Sequence, residues 1–148
     1  MMKYIALFTS ILWLVTTSLS IAAEPEIGKT RTVAGEAYLV RGADRELIKV
    51  GALIQQSDII ETMADGAVGI TFSDNTTLSI GPKSLLHMEH FAFNPSNLKG
   101  KFSANLKKGT LSIISGDIAR GNKGAMNIKT PSAVLGVRGT RFLVRVLE

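Results

Sequence analysis

The residues of this chain that could do chemistry form two candidate sets. His87 and His90 flank Glu89 in "HMEH", which has the residue types of a metal site. If the segment is a regular strand, side chains three apart point to opposite faces, so the two imidazoles diverge and read as surface histidines. Asp58, Asp74 and Asp117 form the second set: brought together in space, two of them could act as the acid and base of glycoside hydrolysis. Each occupies a turn-like stretch, where an aspartate commonly bonds its own backbone, and that is the expectation here. Cysteine is absent, the two histidines sit close together, and no serine lies in a nucleophile elbow, so no nucleophilic triad can be drawn. "GNKGAMNIKT" (121–130) lacks the spacing of a phosphate loop and reads as a turn leading into a strand at Met126 and Ile128. The expectation is a non-enzymatic protein with no cofactor and no metal.

One basic residue stands apart. In "TPSAVLGVRGTRFLVRV" (130–146) Arg138 lies between Gly136 and Gly139, with Thr140 next. A guanidinium there could fold back to satisfy loop carbonyls, or pair with Asp58 or Asp117. It could instead point outward to grip an anionic partner. The first reading explains the glycines and the arginine together, since a long side chain folding inward needs room, and it is the reading expected.

Elements must position these groups, and the chain's start is set aside first. Residues 1–22 carry Lys3, an apolar run from Tyr4 to about Val15, and Ser20 and Ala22 at the −3 and −1 positions of a cut. That order reads as a secretory signal peptide cleaved after Ala22, leaving no membrane span. The remainder suits one domain. With no disulfide available in an oxidising compartment, a real hydrophobic core is required. The formal net charge of +5 is spread along the sequence, with no dense basic run beyond "LKKG" and few aromatics between the charges. Nucleic acid is therefore not an expected partner; an anionic envelope polymer is more in keeping with export.

Residues 23–31 are polar and read as a flexible lead-in, and 32–148 as a single β domain. Short apolar runs separated by Gly, Asp, Asn and Pro predict an all-β fold of mostly antiparallel strands, either a twisted sandwich or a short solenoid-like stack of hairpins. Val68, Ile70 and Phe72 alternate on one face, then "SDNT" turns the chain with Asp74 and Asn75 in a two-residue hairpin. Leu78 and Ile80 follow, and Phe102, Ala104 and Leu106 alternate further on. Leu86 and Met88 should share a face opposite His87, Glu89 and Phe91. The last strand sends Phe142, Val144 and Val146 one way and Arg141, Leu143 and Arg145 the other, as a strand near a sheet edge would.

The segments "VAGEAYLVRG", "VGALIQQSDIIETMADGAVGITFSDNTTLSIGPKSLL", "KKGTLSIISGDI" and "IKTPSAVLGVRGTRFLV" together resemble the FecR domain. That domain is an all-β periplasmic module known from transmembrane regulators that pass iron-uptake signals to a sigma factor. The most specific match is Thr130-Pro131 followed by Gly136, Val137, Arg138, Gly139, Thr140 and Phe142; Asp58, Thr62, Asp74, Ser84 and Gly109 match weaker positions. The family often has Gly where this chain has Ser57 and Asn75. These positions are expected to be structural. Full regulators carry an anti-sigma segment ahead of the membrane helix and a portion beyond the shared domain. Neither is matched here, so the resemblance implies the fold and a periplasmic location rather than the signalling role. The function expected is that of a binding or interaction module, its partner another envelope protein or a cell-wall glycan. An accessory role in FecR-type signalling and an enzyme acting on envelope polysaccharide are the alternatives.

Overall fold

The computed structural model describes residues 24–139 and 141–147. The export segment expected over 1–22, and Thr140, lie outside the described residues. The described residues form twelve strands and one short helix, in order: β1 (Glu26–Ala34), β2 (Ala37–Arg41), β3 (Asp44–Leu47), β4 (Leu53–Gln55), β5 (Ile59–Thr62), β6 (Ala67–Phe72), β7 (Thr77–Ile80), β8 (Leu85–Asn94), β9 (Lys99–Ile114), α1 (Asp117–Gly121), β10 (Met126–Lys129), β11 (Val134–Val137) and β12 (Arg141–Val146). The fold is all-β, and every strand pair is antiparallel except β9 with β10.

The hydrogen-bonded strands form one sheet that curls over on itself because β9 belongs to both of its layers. The N-terminal part of β9 pairs with β8 and β10, whereas its C-terminal part pairs with β7 and β12. One layer therefore runs β4-β1-β6-β7-β9-β12 and the other β3-β2-β5-β8-β9-β10-β11. The layers close on a single apolar core. Phe72 from the first packs against Phe91 and Phe102 from the second, with ring centroids 5.6 and 5.2 Å away. The sandwich alternative is the one realised, and the solenoid-like stack is not.

The alternation read from sequence holds through most strands. Val68, Ile70, Phe72, Leu78, Ile80, Phe102, Ala104, Leu106 and Val144 are all buried, while Arg141, Leu143 and Arg145 are exposed. β8 departs from it. Its register against β9 shifts between Met88 and His90, so an extra residue is accommodated there. Such a bulge reverses the parity of the residues beyond it. Phe91 consequently returns to the core face with Leu86 and Met88 instead of sharing the outer face with His87 and Glu89. The Gln56 side chain accepts the Phe91 N–H at 3.2 Å, satisfying a donor at the irregularity.

Two further expectations are corrected. Residues 23–31 are not simply a lead-in, because β1 begins at Glu26 and lies between β4 and β6, with Ile27 and Thr30 buried. The β6–β7 hairpin is not a two-residue turn. The Asn75 N–H donates to Phe72 O at 3.1 Å, and the Phe72 N–H donates to Thr76 O at 2.9 Å, with positive φ at Asn75 alone of the loop residues. This is a three-residue loop closed by a left-handed residue, a geometry that needs one positive φ rather than two.

Candidate interaction surface

The singled-out positions separate into a buried polar framework and an exposed terminal face. In the framework, Asp58 sits just before β5 with its side chain fully buried. Its carboxylate accepts Nε of Arg41 at 2.8 Å, Nη2 of Arg41 at 2.7 Å and the Gln55 N–H at 2.7 Å. Arg41 also donates to Leu53 O at 3.1 Å, tying the end of β2 to β4 in the opposite layer. Paired bonds of this kind join charge and geometry, which a single lysine could not do.

Thr62, Ser84 and Gly109 form the second part of the framework. The Thr62 hydroxyl donates to Gly81 O at 2.6 Å and accepts the Ser84 N–H at 2.8 Å, while the Ser84 hydroxyl accepts the Thr110 N–H at 2.9 Å. Gly109 lies where β9 passes from one layer to the other. Its φ is +91°, and a Cβ there would come within 2.1 Å of Ser84 Oγ. The bend thus requires glycine for both conformation and space.

Asp74 supplies the third part. Its carboxylate accepts the Thr76 N–H at 3.0 Å, the Thr76 hydroxyl at 2.7 Å and the Ile118 N–H at 3.4 Å. The Thr76 hydroxyl in turn accepts the Gly116 N–H at 3.0 Å, so the hairpin holds the start of α1. Asp117 accepts Asn75 Nδ2 at 2.9 Å and lies 3.5 Å from Arg120. Asp58 shares no partner with Asp74 or Asp117. Asp58 and Asp74 do bond backbone N–H groups in their own loops, as their turn positions imply.

The three outward polar residues of β8 do not converge on a metal. Although the bulge removes the strict divergence argued from alternation, no group of three potential ligands lies together among the described residues. Glu89 is held instead by Lys129 Nζ at 2.7 Å, Ser103 Oγ at 3.1 Å and Asn105 Nδ2 at 3.1 Å. The Lys129 contact, outweighing the opposing effect of partial burial, lowers its pKa to about 2.

The terminal motif lies on the other side of this division. Thr130 closes the β10–β11 hairpin: its N–H donates to Ala133 O at 2.8 Å and its hydroxyl accepts the Ala133 N–H at 3.0 Å, around Pro131. Gly136 faces open space, with no heavy atom nearer than 3.9 Å to a Cβ built there. Gly139 has φ +58° and Phe142 packs against the core from β12. Arg138 is exposed and makes no ion pair or hydrogen bond with a described residue. The expectation that it braces the interior is overturned. Asp58 is already occupied by Arg41, and Arg138 is exposed where its neighbour Val137 is buried.

The strands after β10 and the adjoining end of β9 carry both exposed apolar and exposed basic residues. Val134, Leu143 and Leu147 are 65, 63 and 81 % exposed, and Leu135 and Ile114 are also open. Lys107, Arg141 and Arg145 are exposed, and none of them is in an ion pair among the described residues. A groove of about 600 Å³ runs between β11 and β12, lined by Pro131, Leu135, Val144, Val146 and Leu147 and rimmed by Lys107, Lys108 and Arg145. Sequence reasoning names the motif positions here but misses this grouping. Its local trace is the exposed apolar residue between two arginines in "RFLVR".

No curated protein and no solved structure matches the chain. The family model described as FecR protein matches residues 58–148, more than half of the sequence. That span takes in Asp58 itself, the Thr62–Ser84–Gly109 and Asp74 bonds and strands β11 and β12, while the donors to Asp58, Arg41 and Gln55, lie ahead of it; by this match the chain belongs to the FecR protein family.

Proposed function

We propose that the protein is a non-enzymatic, periplasmic interaction module whose contact surface is the basic and apolar face formed by β11, β12 and the adjoining end of β9. The observation that carries this reading is the contrast within the family-matched span. Asp58, Thr62, Asp74, Thr76 and Ser84 are buried and hydrogen-bonded inside the fold, while Arg138, Arg141 and Arg145 are exposed and in no ion pair among the described residues, and Leu143 and Val134 are exposed. Exposed apolar side chains beside uncompensated positive charge suit a surface that something covers. The fully buried carboxylates of Asp58 and Asp74 favour binding over polysaccharide hydrolysis, since a substrate could not reach them without unmaking the framework. The partner is another envelope protein or a cell-wall glycan.

Photo-cross-linking in intact cells tests this. A photoreactive residue at Leu143 should trap a discrete partner, whereas one at Thr71, in the β6 part of the same sheet, should not. Equal trapping from both positions, or none from Leu143, would end the reading. Fractionation of the same cells should release the protein with the periplasm, beginning after Ala22.

A further inference from the structure

We propose that the open edge of β11 takes up an extended, acidic segment of a partner polypeptide as an additional strand. The proposal rests on the interaction-module reading and gives the chemistry of what that surface binds. Among the described residues β11 pairs with β10 on one side only, and its other edge is unpaired. The remaining sheet edges are protected. β3 carries Asp44, Arg45 and Glu46, β12 carries Arg141 and Arg145, and β4 is only three residues long. β11, Val-Leu-Gly-Val, has no charge within it to discourage pairing.

Side chains of an added strand alternate, so one set would extend the row of Leu135 into the groove of about 600 Å³ between β11 and β12. That set must be apolar, to meet Pro131, Val146 and Leu147. The other set would lie level with Val134 and Gly136, where the absence of a side chain at Gly136 leaves it unobstructed. Carboxylates there meet Arg138, just beyond the strand, whose exposed guanidinium is in no ion pair among the described residues. Main-chain bonds supply the attachment in this mode of recognition, and the alternating side chains supply the selection.

The test uses labelled octapeptides alternating Val with Glu, Gln or Lys, titrated into the purified protein by fluorescence anisotropy. The Glu series should bind at least tenfold more tightly than the Gln series, and the Lys series not at all. In the R138E variant the preference should pass to the Lys series, and hydrogen exchange of the β11 amides should slow when the matching peptide is bound. Binding indifferent to peptide charge, or unprotected β11 amides, would overturn the proposal. So would retention on phosphatidylglycerol vesicles as tight as on the Glu peptide, because the surface would then be reading negative charge rather than a strand. The cross-links from Leu143 do not depend on peptide chemistry, so the wider interaction role is judged separately.

Discussion

Arg41 grips the carboxylate of Asp58 with two nitrogens, Nε at 2.8 Å and Nη2 at 2.7 Å, and this pair locks the end of β2 beside the entry to β5. Arg138 stands in the same Val-Arg-Gly setting as Arg41, each followed by a glycine of positive φ, yet only Arg41 is engaged among the described residues. Replacing Arg41 by Ala leaves a buried carboxylate with the Gln55 N–H as its remaining donor. The expected loss is about 2–3 kcal/mol, below the fully buried range because Arg41 itself is partly exposed. Arg138→Ala should change stability by less than about 0.5 kcal/mol, as ordinary surface substitutions do. Denaturant unfolding of the two variants checks the contrast, and equal losses would contradict it.

Gly109 should tolerate no side chain. Alanine there would need φ +91° and would place its Cβ 2.1 Å from Ser84 Oγ, inside the bond network that turns β9 from one layer to the other. Both the backbone strain and the overlap act against the variant, with an expected cost above about 3 kcal/mol. Ser84→Ala is the milder companion. It removes the acceptor of the Thr110 N–H without a clash and should cost about 1–3 kcal/mol. Thermal unfolding should rank Gly109→Ala well below Ser84→Ala, and a reversal of that order would mean that the crossing of β9 does not depend on this contact.

Ser57 presents the opposite case, a position where glycine should help. Its φ is +68°, and it is exposed, so its side chain contributes no core contact. Relief of left-handed strain is opposed by the greater freedom of glycine in the unfolded chain. The expected net gain for Ser57→Gly is about 0.5–1 kcal/mol, read as a higher melting temperature. Asn75, at φ +64°, should gain less from the same change, because asparagine accepts that conformation more readily and its Nδ2 donates to Asp117.

What is legible in the sequence is whatever depends on local alternation. The apolar rows of β6, β7, β9 and β12 follow from spacing alone, and so does the all-β fold. Alternation puts Phe91 on the wrong face because a bulge adds one residue and reverses parity. The three-residue interval from Met88 to Phe91 is the mark of it in the chain. β1 is hidden by its polar composition, since Ile27 is its one large apolar residue fully in the core and its pairing partners are distant. The roles of the two arginines are not legible at all. Nothing within a few residues of Arg41 or Arg138 says which of them Asp58 will meet, because that is decided by the approach of β2 to the loop ahead of β5.

Glu89 gives the fold a measurable response to acid. Its folded pKa of about 2 lies below the ordinary value of 4.5, chiefly through Lys129, with Asn105 and Ser103 adding hydrogen bonds. A lowered carboxylate pKa means that the folded state holds its proton less tightly than the unfolded state does. The contribution is therefore complete above about pH 4.5 and is lost as pH falls toward and through 2. Glu89 is 24 % exposed and Lys129 44 %, so solvent screening limits the contribution to about 1–2 kcal/mol. Lys129→Met should flatten the fall in stability between about pH 5 and 2 while leaving its course above about pH 5 parallel to that of the unmodified protein. Glu89→Gln should flatten it further, because no carboxylate remains there to titrate. The check is a series of denaturant unfolding curves across that range, and an acid limb unchanged in both variants would show that the link from β8 to β10 carries none of the pH dependence.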